Sequence, residues 1–518
     1  MNYSPPGRYV WDAWYMPQDG KVHAFFLQAR RSDGLSDGDE AHIGHAVSTD
    51  LVHWRTCTDT VGPDPVNPID DGQPWTGCAV WHDHRAWMFY TMRGSATQLR
   101  EQHIGLAHSQ DLVHWSRAAG NPILSPDPRW YATSASPVPG VLDCRDMLVV
   151  RDTERNRWLG FFATRVPGEE LPHTSAIGCA WSEDLMQWNQ LPPAFVPGTM
   201  ACVEVPDVFE LNGLWYMTCL TGHIYGNRDV FTDPNITHGT VYAYANRPEG
   251  PYRLPSDDNV LIGARYTAPI SCRSVLFEGE RYMLYTDRER SPRSDTGHLT
   301  FGTLTAPKRV HASGDGTLQL MYSSRMEACA SDGWFTPESW GLDDPHPWGQ
   351  IWPLRSCAWR VGGHGPDACT EHVIHGTSQS GWSVLLAHCP VTDAIIECDI
   401  RMDRCASAGI LVHAVNHMQG AVVAIDTQRG EVVYTDAPRF EFVEARCTAI
   451  PADGWRRLRV VLRQEHVEVY MDDSLRLTFT RYTGIGGDIG LYVDRGHAMF
   501  RRFRVRQLAL PSEEPEGG

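Results

Sequence analysis

Three acids carry the chemistry this sequence can perform: Asp12 in WDAW, Asp146 in CRDM and Glu204 in EVPD. Each opens a short run of apolar and aromatic residues that reads as a β-strand. Carboxylates gathered at one point repel one another unless a reaction uses them. Glycoside cleavage does so: one carboxylate attacks the anomeric carbon while a second, raised in pKa, protonates the leaving oxygen. Cleavage with retention sets such a pair roughly 5–5.5 Å apart. A third carboxylate can bind sugar hydroxyls and face the positive charge of the transition state. Arg145, next to Asp146, would hold that acid ionised and could donate to substrate hydroxyls.

An internal repeat must bring these positions together. A strand-like segment recurs five times, as KVHAFFLQ (21–28), RAWMFYTMR (85–93), RWLGFFATR (157–165), GLWYMTCLTG (213–222) and ERYMLYTDRE (280–289). Before each lies a shorter strand, WDAWYM, TGCAVW, RDMLVV, EVPDVFEL or SCRSVLF, so each pair reads as a hairpin. A third element follows. HIGHAVSTDLVHW (42–54), HIGLAHSQDLVHW (103–115) and AIGCAWSEDLMQW (176–188) share one frame, and VYAYANRPEGPY and HLTFGTL are degenerate copies. Five units of about 60 residues, each yielding four strands, predict an all-β, five-bladed β-propeller over 1–308. The innermost strand of each blade starts at the central channel, so the three acids converge on one funnel.

The remainder reads differently. Residues 309–384 are expected to be a connection and the start of a second domain, including the Trp/Pro-rich DGWFTPESWGLDDPHPWGQIWP. Period-2 alternation with frequent turns predicts a C-terminal β-sandwich over 385–510, and the acidic tail 511–518 is expected to be disordered. Asp50, Asp111 and Asp184 fall in the turns of the repeated frame and read as turn acids. His45, His53 and His114 read as packing or hydrogen-bonding residues, and Asp207 as a structural acid. The loop SDGLSDGDE (32–40) fits no calcium-loop spacing and reads as a solvated turn.

Composition bounds the rest. The 518 residues carry a formal charge of −18 with no Lys/Arg-rich run, which argues against nucleic acid as partner. The 46 glycines and 35 prolines suit many short strands, and the 19 tryptophans leave aromatic faces on which a sugar could stack. No apolar run is long enough to span a membrane and no signal peptide is visible, so a cytoplasmic protein is expected. Fourteen cysteines without a CxxC pair argue against structural zinc; a reduced setting is favoured, with disulfides still open.

At these residues the sequence resembles glycoside hydrolase family 32, the invertase, inulinase and levanase family, in the clan shared with the levansucrase family. The resemblance runs over roughly 1–330. His42-Ile-Gly-His-Ala-Val-Ser-Thr-Asp-Leu-Val-His-Trp54 is similar to that family's W-G-H-A-x-S-x-D-L-x-x-W, with Ile43 in the region of its Trp. The spacing from Asp12 to Gln28 is similar to that from the family nucleophile to its Y-H-L-F-Y-Q segment. Trp75-Thr-Gly-Cys resembles W-S-G-S, Arg145-Asp146 resembles R-D-P, and Glu204-Val-Pro-Asp resembles E-C-P-D. The chain departs from the pattern at WDAWY, where the family has N-D-P-N-G, and at Met147, where it has proline.

The resemblance implies Asp12 as nucleophile, Glu204 as acid/base and Asp146 as transition-state stabiliser. Gln28, Trp75 and Arg145 would line the sugar subsite, and Trp14, two residues after the proposed nucleophile, is also expected to bind substrate. The expected activity is retaining hydrolysis of a terminal β-fructofuranoside in a small oligosaccharide, with no cofactor and no metal. Alternatives are a furanosidase on another sugar such as an arabinofuranoside, a fructosyl-transferring enzyme, or a non-catalytic carbohydrate-binding propeller. A homodimer through the sandwich is compatible with the sequence.

Overall fold

The computed structural model describes residues 2–31, 42–95, 101–133, 143–168, 173–223, 230–267, 269–331, 333–335, 357–362, 373–387, 389–416, 419–450 and 454–509. The loop 32–40, most of the Trp/Pro-rich connection and the tail 511–518 lie outside the described residues.

Short aromatic and β-branched runs separated by Gly and Asp turns form five antiparallel blades. Blade 1 comprises Arg8–Gln18, Lys21–Arg30, Gly44–Ser48 and Arg55–Thr56. Blades 2, 3 and 4 open with Trp75–His82, Cys144–Asp152 and Glu204–Leu211, and each is a separate four-stranded sheet. Blade 5 comprises Pro269–Phe277, Glu280–Ser291 and His298–Leu304. Its last strand also meets the first blade. Val10 pairs with Gly302, and Tyr3 and Leu304 exchange two main-chain hydrogen bonds of 2.8 Å. Gly302 is required by the close approach of Glu280–Ser291 within blade 5, because a Cβ there would lie 1.6 Å from the Asp287 carbonyl oxygen.

The repeated frame has a physical basis in one turn built three times. Ser48 Oγ accepts from Leu51 N at 2.8 Å, and Asp50 Oδ1 accepts from the main-chain N–H groups of Val52 and His53. Ser109–Asp111 and Ser182–Asp184 repeat the arrangement. The following Leu51, Leu112 and Leu185 sit at φ 68°, 62° and 66°, each pressing its side chain into a buried site. Burial offsets the strain of a left-handed leucine. The three aspartates are turn acids, as their place in the frame implies, and His53 and His114 are paired with Asp50 and Asp111 at 2.7 Å. His45 is buried against His23, ring nitrogen to ring nitrogen at 2.9 Å.

The C-terminal strands form a β-sandwich around a core of Ile396, Ile410, Val423, Val460, Leu491 and Phe500. The long final strand, Asp488–Gln507, serves both sheets: Ile489–Asp494 pairs with Val373–Ala387 and Ser407–Asn416, and its second half pairs with Asp393–Asp403. Arg495 at φ 43° and Gly496 at φ 143° mark the bend between the halves. The expected sandwich start at 385 falls inside the strand Val373–Ala387, and Cys357–Gly362 already pairs with that strand. The Gly/Ser content of VIHGTSQSGWSVLLA hid its strand character. At the other end of the expected connection, Lys308–Ala312 adds to blade 5 through Tyr282↔Arg309, so the propeller extends beyond 308.

The sandwich is clamped to blades 4 and 5. Arg446 pairs with Asp233 at 3.2 Å and Asp258 at 2.9 Å, and Glu444 accepts from the main-chain N–H groups of Arg265 and Tyr266 at 2.9 Å. One apolar cluster joins Phe209, Tyr216 and Met283 of the propeller to Ile395, Val461 and Tyr470 of the sandwich.

Candidate active site

Each inner strand is broken by a bulge at the same height. Pairing skips between Trp11 and Ala13 in blade 1, Trp75 and Cys78 in blade 2, and Glu204 and Asp207 in blade 4. It skips between Arg145 and Leu148 in blade 3 and between Ile270 and Arg273 in blade 5. A bulge re-aims the side chains it carries, which is how strand openings here turn toward the channel. Asp12, Asp146, Val205 and Ser271 adopt φ of 20°, 60°, 50° and 55° within these bulges. Backbone held in this region costs on the order of 1–3 kcal/mol per residue and gathers at functional sites. In blade 2 the bulge contains Gly77, where a Cβ would lie 1.8 Å from the Phe89 carbonyl oxygen.

The residues just before the bulges are Trp11, Trp75, Arg145, Glu204 and Ile270, and those within include Asp12, Thr76, Asp146 and Ser271. The three acids read from the sequence meet at this ring. Thr76 Oγ1 donates to Asp12 Oδ2 at 2.5 Å. Arg145 Nη2 donates to Glu204 Oε2 at 2.9 Å, and its Nε lies 3.3 Å from Asp146 Oδ2. Asp146 Oδ2 also accepts from the main-chain N–H of Val205 at 3.0 Å. One guanidinium and one bulge N–H therefore tie blade 3 to blade 4.

Burial and mutual repulsion set the charge state of these groups. Burial pushes Asp12 up to about 6; the Thr76 hydrogen bond opposes the rise, and the charge of Glu204 adds to it. Burial pushes Asp146 up to about 7, against the pull of Arg145 and with the repulsion of Glu204 and Asp12. The three carboxyl groups lie near enough to repel one another. Asp146 is almost fully enclosed, whereas the side chain of Glu204 keeps 18% of its surface open to solvent.

A second layer orients the first. Asp143 accepts from Arg145 Nη1 at 2.5 Å and lies 2.7 Å from Arg165 Nε, so it fixes the guanidinium from behind. The Thr91 hydroxyl donates to the Thr76 carbonyl at 2.8 Å and accepts from Asp146 N at 3.0 Å, linking the bulges of blades 2 and 3.

Trp75 and Arg145 each stand immediately before the bulge of an inner strand; the Arg93 guanidinium lies 3.6 Å from the centroid of Trp75. Two expected pocket residues, Trp14 and Gln28, are buried within blade 1. Trp14 is 1% exposed and packs beside Phe25 in the blade core. The bulge at Asp12 turns the acid toward the channel and leaves Trp14 on the interior side of the blade. Gln28 is fully buried; its amide accepts from Arg8 Nη1 at 2.8 Å and donates to the His42 carbonyl at 3.2 Å. Both ends of that amide are consumed within blade 1. Thr76, Asp143 and Arg273 were not singled out from sequence. Thr76 and Arg273 belong to the opening strands TGCAVW and SCRSVLF, so the strand-opening rule, applied to hydroxyls and cations as well as acids, points to both. Asp207 is structural, accepting from Ser274 N at 2.8 Å. Among the described residues no group of three or more His, Cys, Asp or Glu is arranged to hold a metal ion.

Residues 13–247 match the model of the glycosyl hydrolases family 32 N-terminal domain. Over those residues the chain is similar to the glycoside hydrolases of family 32. It is similar to the levanbiose-producing levanase of Bacillus subtilis (strain 168), 29% identical over 202 residues, which span 38% of this chain and 34% of the levanase. The chain thus matches about a third of the length of that curated relative. In fold it is similar to fructan 1-exohydrolase IIa from Cichorium intybus, with TM-score 0.70 and 15% identity over 99% of this chain and 97% of that one. Exo-inulinase from Aspergillus awamori superposes with TM-score 0.69 and 14% identity over 98% and 97% of the two chains. The chain therefore shares with these proteins an all-β fold, here a propeller followed by a sandwich.

Proposed function

We propose that this protein hydrolyses a terminal β-fructofuranoside with retention, through a covalent glycosyl-enzyme intermediate. The observation that carries the reading is the meeting of Asp12, Asp146 and Glu204 at one ring of bulges, with Arg145 bound to Glu204 and 3.3 Å from Asp146. Asp12 attacks the anomeric carbon as the bond to the leaving oxygen breaks, and Glu204 gives that oxygen its proton. Water then attacks the same carbon, Glu204 takes its proton, and Asp12 is released. Asp146 faces the sugar hydroxyls and the developing positive charge. Arg145 holds Asp146 and Glu204 in register, and Trp75 offers an aromatic wall. The fructan-cleaving names of the similar proteins support a fructose-containing substrate.

Product release from sucrose, inulin, levan and aryl arabinofuranosides, by wild type and Glu204→Gln, tests the proposal. Fructose release by wild type, lost in Glu204→Gln, is expected. Release from arabinofuranosides alone would transfer the chemistry to that sugar. No turnover on any furanoside would leave a carbohydrate-binding propeller, and equal turnover by both proteins would remove Glu204 from its role.

A further inference from the structure

Beneath the pocket lies a cation that the reaction scheme leaves unused. Arg273 follows the blade 5 bulge and is 1% exposed, one of the largest fully buried side chains in the molecule. Its Nη2 donates to the main-chain carbonyl of Asp146 at 3.3 Å, whereas Nε and Nη1 have no acceptor among the described residues. A guanidinium taken from water without matching acceptors is costly to the fold. Stability alone gives no reason to keep it there.

Its surroundings suggest a reason. The groups that act on the Asp12 carboxyl are Thr76 of blade 2, Asp146 of blade 3, Glu204 of blade 4, and Ser271 and Arg273 of blade 5. Arg273 itself also acts on Tyr15 of blade 1, Cys78 of blade 2 and Cys219 of blade 4, with Asp207 in the same surroundings. Asp146 and Glu204 oppose ionisation of Asp12. Arg145 is engaged with Asp143, Asp146 and Glu204. Arg273 is the charge that favours ionised Asp12 from below. By binding the Asp146 carbonyl it also braces a residue held at φ 60°.

We propose that Arg273 is a positioning residue of the reaction: it sets an enclosed positive charge against Asp12, keeping the attacking carboxylate ionised, and locks the bulge that aims Asp146. The inference rests on the reading of Asp12 as nucleophile. Among the described residues the guanidinium hydrogen-bonds only the main chain of Asp146, so it acts through the two acids and not on the sugar.

The test compares the pH dependence of kcat/KM for wild type, Arg273→Met and Arg273→Lys, with thermal midpoints measured alongside. In Arg273→Met the acidic limb is expected to move upward by roughly one pH unit, because Asp12 then needs a higher pH to ionise. Arg273→Lys keeps a cation there and is expected to restore the limb toward its wild-type position. A folded Arg273→Met with an unmoved acidic limb overturns the proposal. Should Arg273→Met fail to fold, Asp12→Asn/Arg273→Met decides: recovery of folded protein supports the coupling, and failure of the double variant overturns it. Were the wild type to turn over no furanoside, the proposed function would fall. Thermal midpoints of the same single and double variants would still decide whether Arg273 and Asp12 are coupled.

Discussion

Arg145 donates to Glu204 over 2.9 Å across the boundary between blades 3 and 4. The two residues are separated by 59 positions in the chain, and each stands immediately before the bulge of its inner strand. The same guanidinium is held from behind by Asp143 and lies beside Asp146. A single side chain thus sets the relative position of two acids that no local sequence relationship connects.

Replacing Arg145 is therefore expected to damage both fold and chemistry. Arg145→Met leaves enclosed carboxylates without their cation, at a cost of about 3–5 kcal/mol in stability. Arg145→Lys keeps the charge but cannot present the fork to three acids at once, and kcat/KM should fall by ~10²-fold or more. Denaturant unfolding and steady-state kinetics on the two variants check both statements. Wild-type kinetics in Arg145→Lys would show that its contacts are incidental.

Asp12→Asn should abolish turnover, by on the order of 10⁴-fold or more, while stabilising the protein at neutral pH. An aspartate held at about 6 in the fold, against 3.8 ordinarily, favours folding only while protonated. That contribution is complete below about pH 3.8 and is lost as pH rises through 6. Above pH 7 the ionised wild-type group therefore destabilises the fold by ~3 kcal/mol, which asparagine removes. The gap between the thermal midpoints of wild type and variant should open as pH rises from about 4 to 6 and stay level above that. A variant less stable than wild type at pH 7.5 would contradict the assignment.

Activity should follow the same ionisation. With Asp12 at about 6 in the free protein, kcat/KM is expected to drop as pH falls below about 6, when the nucleophile takes up a proton. A profile flat down to pH 4.5 would exclude Asp12 as the group whose ionisation limits the reaction.

Trp14 separates packing from recognition. Its indole lies in the core, so Trp14→Phe should cost roughly 1–3 kcal/mol of stability and leave KM unchanged. Trp75→Ala, at the pocket opening, should instead raise KM. The reverse pattern would place Trp14 against the substrate.

Much of the fold was legible because it repeats. The Ser-x-Asp-Leu frame encodes a turn in which each residue has one hydrogen-bonding or burial task, so the same letters return wherever the turn does. The acids were legible because a carboxylate opening an apolar strand is a conspicuous misfit. Trp14 follows a bulge of one residue, which decides which side of the strand faces the channel, and sequence alternation assumes there is none. Arg273 drew no attention within SCRSVLF because what it meets, the Asp146 carbonyl and the Asp12 carboxyl, lies on the inner strands of other blades.

The most direct test of a covalent role for Asp12 is peptide mass analysis after quenching. Glu204→Gln is mixed with β-fructofuranosyl fluoride, whose leaving group needs no protonation, so the first step proceeds while the second lacks its base. The peptide containing Asp12 should be found heavier by one fructosyl residue, and the adduct should be absent from Asp12→Asn/Glu204→Gln. Fluoride release without any adduct, or an adduct on a different peptide, would contradict the proposed mechanism.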